Sequence, residues 1–493
     1  MPPGTGEQGR SMSVLNYLPN QPDQVLEALR QGNIRAIEVA TEEMPDLFLH
    51  YAIDSGLLEN LAKTFPDPRH QQPEIGMHLL LAGGIAGHFA GLYALSQLPY
   101  ALRSPKLLAM LGVQVVVNTP GKGLSRKGTQ EEASFHGDVV RKLLEQIARQ
   151  DRKAKRLPGQ SLLDWYNAQV GTLFCRAADA IPCVHILDCT DLTVPLKNDN
   201  YEQSGLTTKN KQAERGYKLA TLRSLLDEGA VMTAIAWGQI QEHDLTLTAP
   251  MMRTCPHLHP GDLLIEDRGF VDAATITYLK QERQVDVCTG LRSDMLVLRG
   301  AIAQARANPG AWQPHPTRTG QDIQRVEGIG SLWEGLGVPI NVCVVRYKDR
   351  KTQEWEYLGF AATDLSLSAK QIIETYQTRP EIEEDYRQLK GRSWDIAGFL
   401  TTRLVQILWH VCLTLIAYNL FQTYANTEAG RAFAGKTKQW IEREQRRRGT
   451  VHFVVCTASA FGVYEAKELL YLLLDLPEEV RQRVRLLLQN KRE

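Results

Sequence analysis

Neither sign of charge predominates in this sequence: 56 Lys and Arg residues balance 56 Asp and Glu residues, so the formal net charge is zero. Total charge therefore gives no argument for nucleic-acid binding, and only local basic patches could support it. Cysteine is scarce and dispersed, with eight residues and no C-x-x-C pair. This excludes a zinc finger and a disulfide scaffold and indicates a reducing cytosol. A small cluster, Cys255 with His257 and His259, lies beside two prolines and is typical of a loop.

Long apolar runs are almost absent. The single candidate, Leu404–Phe421, approaches the roughly 20 residues that a bilayer requires, but Gln406, His410 and Asn419 interrupt it. We therefore predict a helix buried in a large core, and no membrane partner. The N-terminus lacks a basic stretch followed by an apolar run, so no secretory signal is expected. Residues 1–20 are rich in Pro, Gly and Ser and are predicted to form a disordered tail.

The chain has 493 residues, of which 43% are hydrophobic and 23% charged, as in a soluble globular protein with more than one structural unit. Apolar residues three and four apart predict helices throughout 21–157. Residues 122–156 hold ten basic and five acidic side chains, a local charge of +5. We interpret 21–157 as a helical DNA-binding domain, although a solvated helical face with a basic linker explains the charge about equally well. The candidate contacts are Arg126, Lys127, Arg141 and Lys142.

A different pattern follows this helical region. VHILD, which ends on Asp188, and DLLIED, which ends on Asp267, are short apolar runs typical of buried strands. Helix-like and strand-like segments then alternate, which predicts an α/β layer. A carboxylate at the end of a buried strand costs free energy unless a cation or hydrogen bonds meet it. Each acid is therefore a candidate site residue, although a helix-capping Asp would explain either one alone.

The most unusual stretch reads YQTRPEIEEDYRQLK. Its residues Tyr376, Arg379, Glu383 and Lys390 are at offsets 0, 3, 7 and 14, which on a helix fall within about 60° of one another. A carboxylate flanked by two cations and a phenol suits a divalent metal and phosphate oxygens. A solvated helix end, with Arg379 paired to Glu383, is the simpler alternative. Pro380 predicts a helix that starts near Arg379 and places Tyr376 in the preceding turn.

The spacing Y-x2-R-x3-E-x6-K resembles the signature of the bacterial insertion-sequence DDE transposases. In that family the first acid follows an apolar strand and has Thr two residues later, as Asp188 and Thr190 do here. The second acid begins a D-R-G-aromatic run, as Asp267 does. The family often has Trp at the position of Pro380, which leaves the start of the helix open. Further similar segments, within a resemblance that spans roughly Phe135 to Phe421, are FHGDVVRKLL from Phe135, GYKL from Gly216, and the pair His243 and Asp244.

The resemblance implies a fold as well as a function. The expected fold is an α/β catalytic core of RNase H-like type, formed by 158–292 and 368–425. A mainly β insertion at 293–367 would interrupt this core. An all-helical N-terminal domain at 21–157 would precede it, and a helical C-terminal region at 426–493 would follow.

The implied activity is metal-dependent DNA transposition, in which the ends of the element are cut and joined to target DNA. The resemblance assigns the catalytic and metal-binding roles to Asp188, Asp267 and Glu383, which would hold two Mg2+ ions, with Mn2+ as an alternative. It assigns DNA contacts to Tyr376, Arg379 and Lys390. The expected partners are double-stranded DNA and further copies of the chain, as a homodimer or higher assembly on DNA. The expected location is cytoplasmic and nucleoid-associated.

Alternatives remain at both levels. Other acids lie near those selected, and their position within the motifs decides against them: Asp191, Glu381, Glu384 and Asp385. Helix phase adds that Glu384 and Asp385 are rotated about 100° and 200° away from Glu383. In function, a metal-dependent nuclease on the same core would cut DNA without joining it. A catalytically silent DNA-binding relative would do neither.

Overall fold

The computed structural model describes most of the chain and divides it into two compact units. The described residues are 21–41, 44–69, 73, 75–102, 111, 137–174, 183–209, 211–226, 229–448 and 451–489. The predicted tail and the candidate contacts Arg126 and Lys127 lie outside these residues. We call Leu162–Gly435 the central unit, and Met1–Ser161 with Lys436–Glu493 the terminal unit.

The strands of the described part are numbered β1 to β13 in chain order: Ala36–Thr41, Val184–Val194, Gly205–Lys209, Gln212–Leu225, Ala230–Gln239, Leu263–Glu266, Asp286–Gly290, Gln313–Pro314, Gln321–Val326, Asn341–Lys348, Trp355–Ala362, Val451–Cys456 and Phe461–Glu465.

The α-helices of the described part are numbered α1 to α16 in chain order: Pro22–Arg30, Met44–Asp54, Leu57–Thr64, Met77–Ala90, Gly137–Lys153, Gln160–Trp165, Gly171–Phe174, Asp244–Thr254, Ala273–Glu282, Leu296–Ala307, Ala369–Tyr376, Glu381–Lys390, Leu404–Ala425, Lys438–Arg448, Ala466–Leu474 and Glu478–Gln489. A π-helical segment covers Tyr166–Val170. Short 3-10 helices cover Leu98–Leu102, Pro309–Ala311, Gly330–Leu332 and Arg431–Phe433.

A mixed sheet of β2 to β11 forms the centre of the central unit. Its order is β3-β4-β2-β6-β7-β11-β10-β9-β8, and β5 pairs with β4. Strand β2 runs antiparallel to β4 and parallel to β6, and β6 runs parallel to β7. Leu187 of β2 is the register partner of Glu266 in β6. Because the two strands are parallel and in this register, the next residues, Asp188 and Asp267, come side by side.

The segment predicted as a mainly β insertion extends this same sheet. It contains β8 to β11 and also helix α10. Strand β11 runs antiparallel to β7, with Phe360 opposite Gly290. Apolar side chains from both parts, including Leu264, Val287 and Val344, belong to one continuous core cluster. The insertion is therefore continuous with the rest of the sheet through backbone hydrogen bonds and a shared core.

Helix α13 is long and apolar enough to cross a membrane, but 94% of its most apolar window is buried inside the protein. The polar residues that interrupt it have partners. Asn419 accepts a hydrogen bond from the backbone N of Met232 and donates one to its carbonyl, both at 2.8 Å. His410 contacts the carbonyl of Asp395 at 3.0 Å. The helix lies in the core, where the polar interruptions are satisfied.

The terminal unit corrects two predictions. Strand β1 lies in the region predicted to be all-helical, and β12 and β13 lie in the C-terminal region predicted to be helical. The three form an antiparallel sheet in the order β1-β12-β13. Val25, Ile37, Val455 and Val484 share one hydrophobic cluster. The prediction was wrong here because β1 is stabilised by pairing with β12, far away in the chain, which local periodicity cannot reveal.

Candidate active site

Two acids lie on neighbouring parallel strands. Asp188 lies within β2, which continues to Val194 instead of ending at the acid, and Asp267 follows β6 directly. The Oδ1 atom of Asp188 accepts a hydrogen bond from the backbone N of Cys189, and that of Asp267 accepts one from Arg268, each at 2.8 Å. The backbone thus fixes the orientation of each carboxylate, and one oxygen of each faces the same edge of the sheet.

The third acid comes from helix α12. Helix α11 ends at Tyr376, Arg379 lies in the turn that follows, and Pro380 directly precedes α12. Tyr376 is therefore in the preceding element, as Pro380 predicted. Arg379 also lies just outside the helix, so the four signature residues do not share one helical stripe. The turn brings them together instead.

Arg379 contacts all three acids. Its Nη2 atom is 3.0 Å from Oδ2 of Asp188 and 3.4 Å from Oδ2 of Asp267. Its Nη1 atom is 2.5 Å from Oε1 of Glu383. The expected helix-end pair with Glu383 exists, but the same guanidinium also reaches both strand acids. Three carboxylates from three separate elements therefore converge on one cationic group.

Tyr376 holds Asp267. Its hydroxyl donates to Oδ1 of Asp267 at 3.0 Å, and its ring packs on Phe360 with a centroid distance of 4.5 Å. A Cβ at Gly290 would come within 2.8 Å of the Tyr376 hydroxyl oxygen, so the absence of a side chain there makes room for it. Burial raises the pKa of Tyr376. The phenol therefore remains a hydrogen-bond donor that orients an acid.

The three acids differ in exposure and charge. The Asp188 side chain is 12% exposed, that of Asp267 31% and that of Glu383 59%. Burial raises the pKa of Asp188 to about 6, against the opposing effect of the Arg379 charge. Within the described residues, no three His, Cys, Asp or Glu side chains lie close enough together to form a ready-made metal site. The Arg379 guanidinium lies among the three carboxylates.

Lys390 lies at the far end of α12 and is exposed. No hydrogen bond or ion pair joins it to another described residue, and partial desolvation lowers its pKa while the charges of Asp191 and Asp188 raise it. Asp191 itself pairs with Lys209 at 2.8 Å. Lys390 is thus a cation near the acids that has no internal partner among the described residues.

The competing acids of the signature stretch have other partners. Glu384 pairs with Arg387 at 2.5 Å on the solvent side. Asp385 points into the core, where Arg223 and Tyr418 meet it. Sequence reasoning missed Arg223. A lone arginine within the apolar stretch ATLRSLL was the signal that could have revealed it.

Two other groups of candidates have partners within their own units. Arg141 pairs with Asp138 at 3.1 Å and with Glu145 at 2.7 Å along α5, as expected for a solvated helical face. Lys142 is exposed on the same helix in the terminal unit. His257, of the small Cys and His cluster, is buried and bonds the carbonyl of Asn167 at 2.6 Å.

Fold and site together define a class: an α/β protein whose sheet presents two acids on adjacent parallel strands, opposite a third acid on a helix. The sequence model of the transposase DDE domain matches residues 179–420, a segment that includes all three acids and the four signature positions. Residues 179–420 are therefore a transposase DDE domain. It matches no curated protein.

Proposed function

We propose that this transposase carries the Y-R-E-K signature on an RNase H-like core and performs cut-and-paste transposition. In this reaction it cuts DNA at the ends of an insertion sequence and joins them to target DNA by metal-dependent phosphoryl transfer. The observation that carries the proposal is the convergence of Asp188, Asp267 and Glu383 on the single guanidinium of Arg379. Clustering the acids of β2, β6 and α12 is unfavourable for folding because carboxylates repel one another. The same cluster is favourable for binding a shared cation.

The acids fit divalent ions by their chemistry. Carboxylate oxygens are the ligands that Mg2+ and Mn2+ prefer. Asp188, Asp267 and Glu383 would hold two such ions, which activate a hydroxyl nucleophile and stabilise the leaving oxygen in two-metal phosphoryl transfer. In this structure the positive charge among the acids belongs to Arg379, so loading requires the guanidinium to give way. Asp188 must also lose its proton, and because burial raises its pKa to about 6, the carboxylate form predominates only above about that pH.

The remaining signature residues act on the acids and on DNA. Once released from the carboxylates, Arg379 can bind phosphate oxygens with its fork of donors. Lys390 offers a point charge that has no internal partner among the described residues. Tyr376 keeps Asp267 oriented through its hydroxyl, the support that a metal-binding carboxylate needs from its surroundings. Tyr376 also stays a proposed DNA contact, and Phe360 supports its ring.

The partners follow from the reaction. Its substrates are double-stranded DNA at the two ends of the element and at the target. Two ends must be held together for joining, so we propose a homodimer or higher assembly on DNA. The place of action is then the cytoplasm, at the nucleoid.

The test is a reaction in vitro on labelled DNA that carries the element's own two ends, with Mg2+ or with EDTA. The wild type is compared with Glu383→Gln and with the matched control Glu384→Gln, which changes an exposed acid of the same helix. We expect the wild type to release the element and to join it to a second DNA. Both steps should be lost with EDTA and in Glu383→Gln, and both should be kept in Glu384→Gln.

Two other results would replace the proposal. Cutting without joining would identify the nuclease. Binding of the ends with no cutting in Mg2+ or Mn2+ would identify the catalytically silent DNA-binding relative.

A further inference from the structure

The inner face of α12 carries an acid where an apolar residue would be expected. Asp385 is 7% exposed, and Arg223 of β4, its partner, is 5% exposed. The Nε atom of Arg223 donates to Oδ2 of Asp385, and the Tyr418 hydroxyl of α13 donates to Oδ1 at 2.7 Å. Arg223 also meets Glu381, in the first turn of α12, at 3.1 Å. One arginine thus grips the helix at two points one turn apart.

The next residue connects the helix to the catalytic strand. The Tyr386 hydroxyl donates to the backbone carbonyl of Asp188 at 2.8 Å. The Thr221 hydroxyl of β4 lies 2.7 Å from the same Tyr386 oxygen. Both Thr221 and Tyr386 are buried. A chain of hydrogen bonds therefore runs from β4 through α12 to the main chain of the first catalytic acid.

Stability alone does not explain these polar contacts. A buried ion pair is often no more stabilising than an apolar pair of similar volume, because desolvation offsets the attraction. Apolar contacts such as those of Ile382 and Leu389 hold a helix against a sheet, but they only loosely define its rotation about its axis and its position along that axis. Directional bonds at Asp385 and Tyr386 fix both. Glu383 lies two residues before Asp385, so its place over the sheet is fixed with them.

We propose that Arg223, Asp385 and Tyr386 are positioning residues that set the distance between Glu383 and Asp188, so that both can bind the same metal ions. This inference rests on the proposed function. The three residues touch neither metal nor DNA in the proposal, and they act only through the two acids.

The first test separates positioning from stability. The double variant Arg223→Met with Asp385→Leu replaces the ion pair by an apolar pair of similar size. The full chain is measured without DNA, for melting temperature and for Mn2+ binding by calorimetry. We expect a melting temperature within about 4 °C of the wild type, a shift that corresponds to roughly 1 kcal/mol. We expect Mn2+ to bind at least about tenfold more weakly, since a tenfold change is about 1.4 kcal/mol.

A second variant serves if the double variant fails to fold. Tyr386→Phe keeps the ring in its place and removes only the hydroxyl, and it should weaken Mn2+ binding at least about threefold, or roughly 0.7 kcal/mol. The matched control Glu384→Leu with Arg387→Met removes the exposed ion pair of the same helix and should change neither quantity.

Three outcomes would contradict the positioning role or the metal site on which it rests. Mn2+ binding within twofold of the wild type in Tyr386→Phe, or in a folded double variant, contradicts positioning while leaving the proposed function intact. Equal weakening in the exposed-pair control would also contradict it. A wild type that binds no Mn2+ would contradict the proposed metal site itself.

Discussion

Glu383 and Asp385 are acids two residues apart on α12, and their surroundings are opposite. Asp385 is 7% exposed and has Arg223 and Tyr418 as partners. The Glu383 side chain is 59% exposed, and its ion-pair partner is Arg379, in the adjacent turn. The buried acid has every oxygen engaged within the fold and nothing left for a ligand. The exposed acid can exchange its partner at little cost. Helix α12 thus carries one acid that fixes the position of the helix, Asp385, and one acid that is available to bind a ligand, Glu383.

The largest expected effect concerns activity at the exposed acid. Glu383→Gln should lower DNA cleavage at least about a thousandfold, because a residue that acts with others as one unit is not replaced by them. Its free energy of unfolding should change by less than about 0.5 kcal/mol, as for exposed positions. Cleavage rates and urea unfolding of the same preparation check both. Unchanged cleavage, or a large loss of stability, would break the contrast between the two acids.

Substitution of the buried acid, Asp385, should have a large effect on stability. Asp385→Asn leaves the buried Arg223 facing an amide, with the exposed Glu381 as its one ion-pair partner among the described residues, so the free energy of unfolding should fall by about 3 kcal/mol. Urea unfolding measures this loss. The control is Glu384→Asn, whose partner Arg387 is in solvent and which should cost under about 1 kcal/mol. Equal losses in the two variants would show that the buried pair has no special role.

Asp188 is buried, as Asp385 is, and belongs to the proposed site, as Glu383 does. The pH dependence of stability reports on its burial. Its pKa is raised to about 6 from an ordinary value of 3.8, chiefly by burial. The neutral acid therefore contributes stability that is present below about pH 4 and lost as the pH rises through 6. Asp188→Asn does not titrate. Its stability relative to wild type should therefore rise by about 2 to 3 kcal/mol between pH 4 and pH 8. Urea unfolding across this range checks the sign, and a constant difference would contradict it.

Arg379 competes with metal for the three acids. Arg379→Gln removes the internal cation, so Mn2+ should bind the DNA-free protein about tenfold more tightly, or 1.4 kcal/mol. Calorimetry measures this, with Arg387→Gln as the control on the same surface. Weaker Mn2+ binding in Arg379→Gln would mean that the arginine organises the acids and does not occupy their shared position.

The smallest effect is expected at Lys390. Lys390→Ala should weaken DNA binding only a few-fold and lower the slope of log affinity against log salt by about one, the mark of a single phosphate contact. Lys370→Ala, an exposed lysine on α11, is the control. Equal slopes for wild type and Lys390→Ala would remove Lys390 from the DNA surface.

The sequence predicted the acids better than it predicted their connections. Asp188 and Asp267 could be located because each ends an apolar run, and such runs form strands for local reasons. The parallel register of β2 and β6 that brings them together depends on residues distant in the chain. The reach of Arg379 to both strand acids depends on that register too. The spacing of residues in the sequence predicted only the pair of Arg379 with Glu383.

Other features had no local signal at all. The hydroxyl of Tyr376 reaches Asp267 because Gly290 leaves space on β7, while its expected DNA contact stays a prediction. Strand β1 was predicted as helix because its partner, β12, belongs to the opposite end of the chain. In both cases the deciding neighbour is remote in sequence, so no window of local periodicity contains it.

In the proposed site, Asp188, Asp267 and Glu383 bind metal together. Fe2+ placed in the site of Mg2+, with ascorbate and peroxide, generates radicals that cut the protein backbone close to the ion. We expect cuts near residues 188, 267 and 379–383, which excess Mg2+ suppresses and Glu383→Gln abolishes. Cuts confined to other segments, or cuts near these acids that Mg2+ and Glu383→Gln leave unchanged, would contradict it.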